Sequence, residues 1–159
     1  MVMQKRRTCG ECTACCTALP VGEISKPQGV PCRQCTKVGC SIYQMRPRSC
    51  RDFECQWLKG CGEDSQRPDL FGIINDYSLV DGLGYTVIFW EIAKGALDNL
   101  FGESTSIAAI EKSIPVLHVY HSRKERLFIP HTLGLSESEL KTYANENRKV
   151  FIVSAAATN

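Results

Sequence analysis

The chain has 159 residues, of which 43% are hydrophobic and 23% charged, and this length and balance are typical of a single globular domain. No apolar run approaches the roughly 18 residues that a membrane span needs, so the sequence excludes a transmembrane protein. The net charge of +2 conceals an asymmetry, because residues 1–68 carry 11 Lys and Arg against 6 Asp and Glu whereas residues 69–159 carry 8 against 11.

The cysteines are distributed even more unevenly. All ten lie between Cys9 and Cys61, and the 98 residues that follow contain none. The segment before them, Met1 to Thr8, is basic and lacks the apolar stretch of a secretory signal, so we expect a cytoplasmic protein. In a reducing cytosol, clustered thiols hold a metal more often than they form disulfides. The adjacent Cys15 and Cys16, which could bond to each other only with strain, also favour a metal.

Residues 9–42 are punctuated by proline and glycine, which predicts loops and short turns. Such a segment has few apolar side chains with which to fold on its own. Its order is therefore expected to come from the thiols, since a bound metal contributes folding free energy in small domains.

The first regular element is predicted as a helix over residues 47–59, with a proline suited to its first turn. At about 100° per residue, Cys50, Phe53 and Trp57 share one face of this helix. Cys55 lies about 140° around the helix axis from Cys50. These two thiols therefore need not bind the same ion.

A polar, turn-rich run over residues 60–69 marks a boundary in the chain. We predict a cysteine-rich metal-binding segment over residues 1–61, a junction over residues 62–69 and a small α+β region over residues 70–159. The two regions are expected to form one compact unit.

The cysteine-free region alternates between short runs rich in branched and aromatic side chains, typical of strands, and two helical stretches. The second helix opens on Ser136 and Glu139, which form a capping-box pair. The predicted strands are 70–74, 84–92, 115–120, 126–130 and 150–153, and the predicted helices are 104–113 and 136–147. The whole predicts an α+β fold, in which a loop-rich, metal-bound segment with a short helix joins a small, mainly antiparallel sheet with two helices.

The spacing of the thiols is typical of metal ligands. Two residues between cysteines let both sulfurs reach one ion across a tight turn, so each CxxC pair is a half-site for tetrahedral zinc or for a cluster iron. Both metals accept the same ligand type, and the spacing alone does not separate them. The order along the chain is Cys9-x2-Cys12-x2-Cys15-Cys16, Cys32-x2-Cys35-x4-Cys40, Cys50-x4-Cys55 and Cys61.

Two stretches of the sequence carry a family resemblance. They are Cys9-Gly-Glu-Cys12-Thr-Ala-Cys15-Cys16 and Gly39-Cys40-Ser-Ile-Tyr43-Gln-Met-Arg46-Pro47-Arg-Ser-Cys50-Arg51-Asp-Phe53-Glu-Cys55. On these residues the chain resembles the CxxCxxCC family of zinc- or iron-chelating proteins, also called YkgJ-like cysteine cluster proteins, over residues 9–58. The family as a whole has no settled biochemical activity, and some distant relatives of its cysteine cluster are iron–sulfur-dependent protein lysine methylases.

The resemblance implies that eight cysteines on family positions chelate the metal. Cys35 and Cys61 lie outside the family core, and their participation stays open. The implied ligands are Cys9, Cys12, Cys15, Cys16, Cys32, Cys40, Cys50 and Cys55.

The arginines and aromatic residues of the motif have physical roles of their own. Arg46 and Arg51 could hydrogen-bond to thiolates or could form a solvated basic face. Tyr43, Phe53 and Trp57 are expected to form a small core that shields the metal, rather than a platform on which bases stack.

Three histidines, His118, His121 and His131, lie outside the cysteine-rich segment. His118 and His121 could form a half-site if their loop folds back onto the thiols. In a strand, however, residues three apart point to opposite faces, so we expect ordinary structural or surface histidines.

Three functions are compatible with these patterns. The first is a metal-binding protein that holds zinc, or iron, in a structural, storage or delivery role without catalysis. The second is an iron–sulfur protein that acts in electron transfer, in sensing or as a methylase-like enzyme. The third is a zinc-dependent adaptor that binds nucleic acid or protein through basic residues.

The first hypothesis is favoured, with zinc as the metal. Eight thiolates divide into two four-thiolate sites or one shared cluster, and a closed site has no open position for water. The sequence contains no nucleophile–base–acid set. Nucleic acid is not favoured as a partner, because eight thiolates on two zinc ions carry a charge of about −4, which nearly balances the net +5 of residues 1–68. An unidentified protein partner stays open.

Overall fold

The computed structural model describes residues 7–154, with the backbone alone at residues 100–102. The N-terminal residues interpreted above as lacking a secretory signal lie mostly outside this range. The cysteine-rich segment is loop-rich, as predicted, and its regular elements are short. The chain up to residue 72 contains helices α1 (Ala14–Ala18), α2 (Arg48–Asp52) and α3 (Pro68–Phe71), strands β1 (Cys35–Thr36) and β2 (Gly39–Cys40), and 3-10 turns at Gly22–Ile24, Tyr43–Met45 and Asp64–Gln66.

Helix α2 is shorter than the sequence predicted. It ends at Asp52, because Phe53 adopts an extended backbone conformation with φ −79° and ψ 122°. Beyond it, the backbone N–H of Gln56 donates to the carbonyl of Asn75 at 2.9 Å, which ties this stretch to the sheet. A tertiary contact therefore overrides local helix propensity, and the predicted helical face shared by Phe53 and Trp57 is wrong.

The rest of the chain forms a five-stranded sheet with two covering helices. The strands occur in the spatial order β3-β4-β5-β6-β7. Their bounds are β3 (Ile73–Val80), β4 (Gly84–Glu91), β5 (Val116–Val119), β6 (Glu125–Pro130) and β7 (Arg148–Val153), with helices α4 (Leu100–Glu111) and α5 (Glu137–Tyr143) and 3-10 turns at Ala96–Asp98 and His131–Leu133.

The α+β class is confirmed, and the sheet is mixed. β3 pairs antiparallel with β4, and β5 with β6, whereas β4 pairs parallel with β5, and β6 with β7. Parallel neighbours need a crossover connection. Helices α4 and α5 supply the two crossovers, so the two helices predicted from the sequence account for the two parallel pairings.

Each face of the sheet buries its own core. On one face Phe89 and Val116 pack under α4, which contributes Ala109 and Ile110. On the other face Ile88 and its neighbours pack against Leu140 and Tyr143 of α5. The longest helix among residues 7–154, α4, has 12 residues, so no helix there is long and apolar enough to cross a membrane.

A third core cluster joins the cysteine-rich segment to the sheet. It contains Ala14 and Ala18 of α1, Cys55, and Ile74 of β3, whose side chain is fully buried. Ala14 and Ala18 are one helical turn apart and therefore share the face of α1 that packs on the sheet. The register places Ile74 opposite Trp90, on the same side of the sheet as Ile88. The cysteine-rich segment therefore packs on the same face of the sheet as α5.

Candidate metal centre

The cysteine-rich segment encloses a cavity of about 300 Å³ against the sheet. Apolar side chains, among them Leu19, Ile42 and Phe53, form much of the remaining wall. None of the ten cysteines forms a disulfide, and all ten lie within the described part of the chain. Seven thiols border this one cavity, namely those of Cys9, Cys12, Cys15, Cys16, Cys32, Cys40 and Cys50.

A first group of thiols forms around the start of α1. The backbone N–H of Cys12 donates to the carbonyl of Cys9 at 2.9 Å, which closes the first CxxC turn. Cys12 and Cys15 pack against the core cluster that contains Cys55, a residue beyond α2 that is 7% exposed. Burial raises the pKa of the Cys15 thiol, and repulsion from Cys55, Cys12, Cys9 and, least of all, the adjacent Cys16 adds to the rise. These four thiols are therefore electrostatic neighbours.

A second group forms around the far side of α1. The backbone N–H of Cys32 donates to the carbonyl of Cys16 at 2.8 Å, and Cys35 lies opposite Cys40 in the β1-β2 pair. Burial raises the pKa of the Cys16 thiol to about 12, together with repulsion from Cys35, Cys32 and Cys40. The pKa of Cys50 is raised by its own burial and by Cys32 and Cys40. Cys35 belongs to this neighbourhood without bordering the cavity.

The adjacent pair Cys15 and Cys16 divides between the two groups. Consecutive residues on a helix point about 100° apart, so the same short helix directs one thiol toward each group. Cys50 and Cys55 are likewise separated. The sequence analysis based this separation on a helix over residues 47–59, but α2 ends at Asp52. In the structure the two thiols are separated because the chain turns away after Asp52.

Cys61 stands apart from both groups. Its thiol is exposed and lies 3.6 Å from the side-chain oxygen of Gln56. Its carbonyl accepts a hydrogen bond from the guanidinium of Arg7 at 2.9 Å. Nine of the ten cysteines are therefore brought near one another, and Cys61 is the exception.

Among residues 7–154, no group of three or more His, Cys, Asp or Glu side chains is arranged to hold a metal ion. The thiols surround the cavity without converging on one point. Burial raises the pKa of Cys12 and Cys55 as well, so these groups are neutral near pH 7 in the structure. The donor set itself fits zinc or iron, because an all-sulfur site selects these metals over hard cations such as Mg²⁺.

Three residues that the sequence analysis missed also border the cavity, namely Lys26, Asp76 and Trp90. Lys26 is buried, and its ammonium donates to the carbonyls of Leu19 and Pro27. Burial lowers the pKa of Lys26, while the nearby thiols oppose that shift. Trp90 has a buried indole N–H without a hydrogen-bond partner among residues 7–154. An N–H donor of this kind suits a thiolate acceptor.

The histidines take no part in this centre. His118 is buried beneath α4, where its Nε2 lies 2.7 Å from the hydroxyl of Ser106. The backbone N–H of His121 donates to the carboxylate of Glu91 at 3.0 Å. Neither side chain borders the thiol cavity, so the described residues do not form the histidine half-site.

Comparison of the chain with protein-family models, with curated protein sequences and with solved structures gives no match. The resemblance to the CxxCxxCC family therefore rests on the motif residues and stays a prediction. Fold and site together define an α+β chain with a cavity bordered by seven cysteines. We base its function on the chemistry of that cavity.

Proposed function

We propose that the protein binds metal ions, zinc in the first place, through its cysteine-rich segment, in a structural, storage or delivery role without catalysis. The single observation that carries this proposal is the cavity bordered by seven cysteines. Clustered thiols in a reducing compartment bind metal more often than they serve any other purpose. A reducing compartment such as the cytoplasm is part of the proposal, because the ligands must be free thiols.

The two thiol groups support two ions. Tetrahedral structural zinc takes four thiolates; the first group offers four and the second offers five. The first group would use Cys9, Cys12, Cys15 and Cys55. The second would use Cys16, Cys32, Cys40 and Cys50, with Cys35 as a neighbour of the second site.

Two cations in the cavity wall also support bound thiolates. Lys26 and Arg46 are the only basic side chains that border the cavity among residues 7–154. A zinc ion with four thiolates carries a charge of about −2, which nearby cations and N–H donors stabilise. Lys26, Arg46 and the indole of Trp90 are placed for that role.

The deciding experiment is metal and sulfide analysis of protein purified without oxygen. We expect about two zinc ions per chain, no acid-labile sulfide and no broad absorption near 400 nm. If the protein instead contains iron and stoichiometric sulfide, the iron–sulfur alternative is correct, and the same thiols hold a cluster rather than zinc. Protein that retains neither metal, and does not take up either under anaerobic conditions, would contradict the proposal.

Zinc uptake should release protons. Burial raises the pKa of the Cys15 and Cys16 thiols, so these two keep their protons near pH 7, and zinc binds the thiolate form. An ordinary cysteine thiol, with a pKa of about 8.5, is protonated at pH 7 as well. We expect release of about four protons per zinc and about eight per chain when metal-free, reduced protein is titrated in weak buffer with a pH indicator. The Cys61→Ser variant should release the same number. Release of two protons or fewer per zinc would show that the ions bind elsewhere.

A further inference from the structure

A second cleft, of about 430 Å³, lies beside the thiol cavity and carries an excess of positive charge. Its wall contains one carboxylate, that of Glu54. It contains four basic side chains, those of Arg7, Arg46, Arg51 and Lys59. This composition is that of a site for an anion rather than for a cation.

Three of these cations have groups free to bind a ligand. The Nε of Arg46 is buried and has no hydrogen-bond partner among residues 7–154. Its guanidinium lies 3.7 Å from the centre of the Tyr43 ring, and this stacking fixes its orientation. Arg51 and Lys59 are exposed, and neither side chain forms a hydrogen bond or an ion pair within the described ranges.

Arg7 differs from the other three. Its guanidinium forms an ion pair with Asp64 at 3.0 Å and donates to the carbonyls of Trp57 and Gly62. It therefore holds the wall of the cleft in place. The positive charge available to a ligand comes from Arg46, Arg51 and Lys59.

Two of the proposed metal ligands, Cys9 and Cys50, also border this cleft, and their thiolates would offset part of the charge of its four basic side chains. Arg46 borders both spaces and could serve either. Arg51 and Lys59 border the cleft and not the thiol cavity. Lys26 therefore borders only the thiol cavity, and Arg46 borders both spaces. The other basic side chains of the cleft, those of Arg7, Arg51 and Lys59, border the cleft alone.

We infer that this cleft binds a small molecule that carries phosphate or carboxylate groups. Arginine matches both oxyanions with a planar, bidentate fork, and lysine adds a point charge. The volume lies within the range of roughly 300–1,000 Å³ that is usual for small-molecule sites. Tyr43 and Phe53 give the wall an apolar part, which suits the carbon skeleton of such a ligand. This inference goes beyond metal binding and does not depend on which metal the thiols hold.

The test uses the full-length protein in its metal-bound form, with inorganic phosphate and succinate as separate probes. Binding is followed by amide chemical shifts in NMR spectra at constant ionic strength, with chloride as the reference anion. We expect saturable shifts at Arg46, Arg51 and Lys59 with at least one probe. The Arg51→Gln variant should weaken binding at least about tenfold, because it removes a charge-assisted hydrogen bond.

Arg48 provides a matched control. It lies on the same helix as Arg51 and is also exposed, but it does not border the cleft. Arg48→Gln should change the affinity less than about twofold, because the Arg48 guanidinium lies outside the cleft, where it pairs with the exposed Asp52 at 3.1 Å. Lys59→Gln is a second test at a residue outside α2. The inference would be overturned if Arg48→Gln and Arg51→Gln had equal effects, or if neither probe produced saturable shifts. It would also be overturned if the protein bound an RNA oligonucleotide but neither probe.

Discussion

Replacing Cys12 by serine is expected to remove about one of two zinc ions per chain, and replacing Cys50 is expected to remove the other. The reason is that Cys12 belongs to the thiol group that contains Cys15 and Cys55, whereas Cys50 belongs to the group around Cys16 and Cys32. The double variant should retain no zinc. Metal analysis of the three purified variants checks this partition.

The same substitutions should unfold the cysteine-rich segment locally. Structural zinc contributes an apparent binding free energy of about 10–16 kcal/mol in small zinc-finger peptides at pH 7, which exceeds the whole stability of many domains. Without it, residues 9–58 have mostly loops and very short helices. Hydrogen exchange should therefore show loss of protection there, while β4 to β7 stay protected.

Cys61→Ser is the matched control, because Cys61 lies outside both groups. It should retain two zinc ions and normal protection. If Cys12→Ser and Cys50→Ser each lose all metal, the thiols hold one shared cluster instead of two sites. If both variants keep two ions and full protection, neither cysteine is a ligand.

Acidification is expected to destabilise the sheet through His118. Burial lowers the pKa of this residue to about 4, and the positive charge of Arg126 acts in the same direction, while Asp98 opposes both. The imidazole is 5% exposed, and its ring lies among Phe89, Tyr120 and Phe128. The folded protein therefore keeps this ring neutral at pH values where the unfolded chain protonates it.

The sign of the effect follows from the two pKa values. The unfolded histidine has a pKa of about 6.5, so this residue does not alter stability above that pH. Between pH 6.5 and 4 the unfolded state binds more protons, and the free energy of unfolding should fall by up to about 3 kcal/mol. Below pH 4 both states are protonated, and this loss is complete.

The His118→Gln variant isolates this contribution. Glutamine can still hydrogen-bond to Ser106 but does not titrate. Urea unfolding at pH 7.5, 6 and 5 should show a shallower fall in stability for His118→Gln than for the wild type, since release of metal at low pH affects both equally. Identical slopes for His118→Gln and the wild type would contradict this role of His118.

Local patterns predicted most of the sheet region but not β3. The strand predicted over residues 70–74 is wrong in its first half, where α3 runs to Phe71, and β3 extends from Ile73 to Val80. The run of branched and aromatic residues in β4 and the polar turn between β5 and β6 both lie where the sequence predicted strands and a hairpin, because such side chains fit a pleated, half-buried surface. Helix α5 begins where the sequence places it, because Ser136 and Glu139 form a capping box with both hydrogen bonds present. The parallel pairings were not predicted, since strand order depends on contacts between distant residues.

The candidate site was predictable only in part. The thiol motif identified the cysteines, because ligand spacing is a local property. Lys26, Asp76 and Trp90 could not be found in this way. Asp76 and Trp90 reach the cavity through the register between β3 and β4, and nothing near them in the sequence marks that position. The prediction of helix beyond Asp52 is wrong for a related reason, because the backbone of that stretch hydrogen-bonds to the sheet.

The packing of Ile74 against Ala14 and Ala18 has a consequence for the order of events during synthesis. Residues 9–58 leave the ribosome first, yet the surface that buries α1 forms only when β3 has paired with β4. The nascent chain therefore exposes its thiols until at least residue 91 has emerged. We expect metal loading to follow completion of the sheet, and oxidants present during translation to damage this protein more than the same oxidants added afterwards.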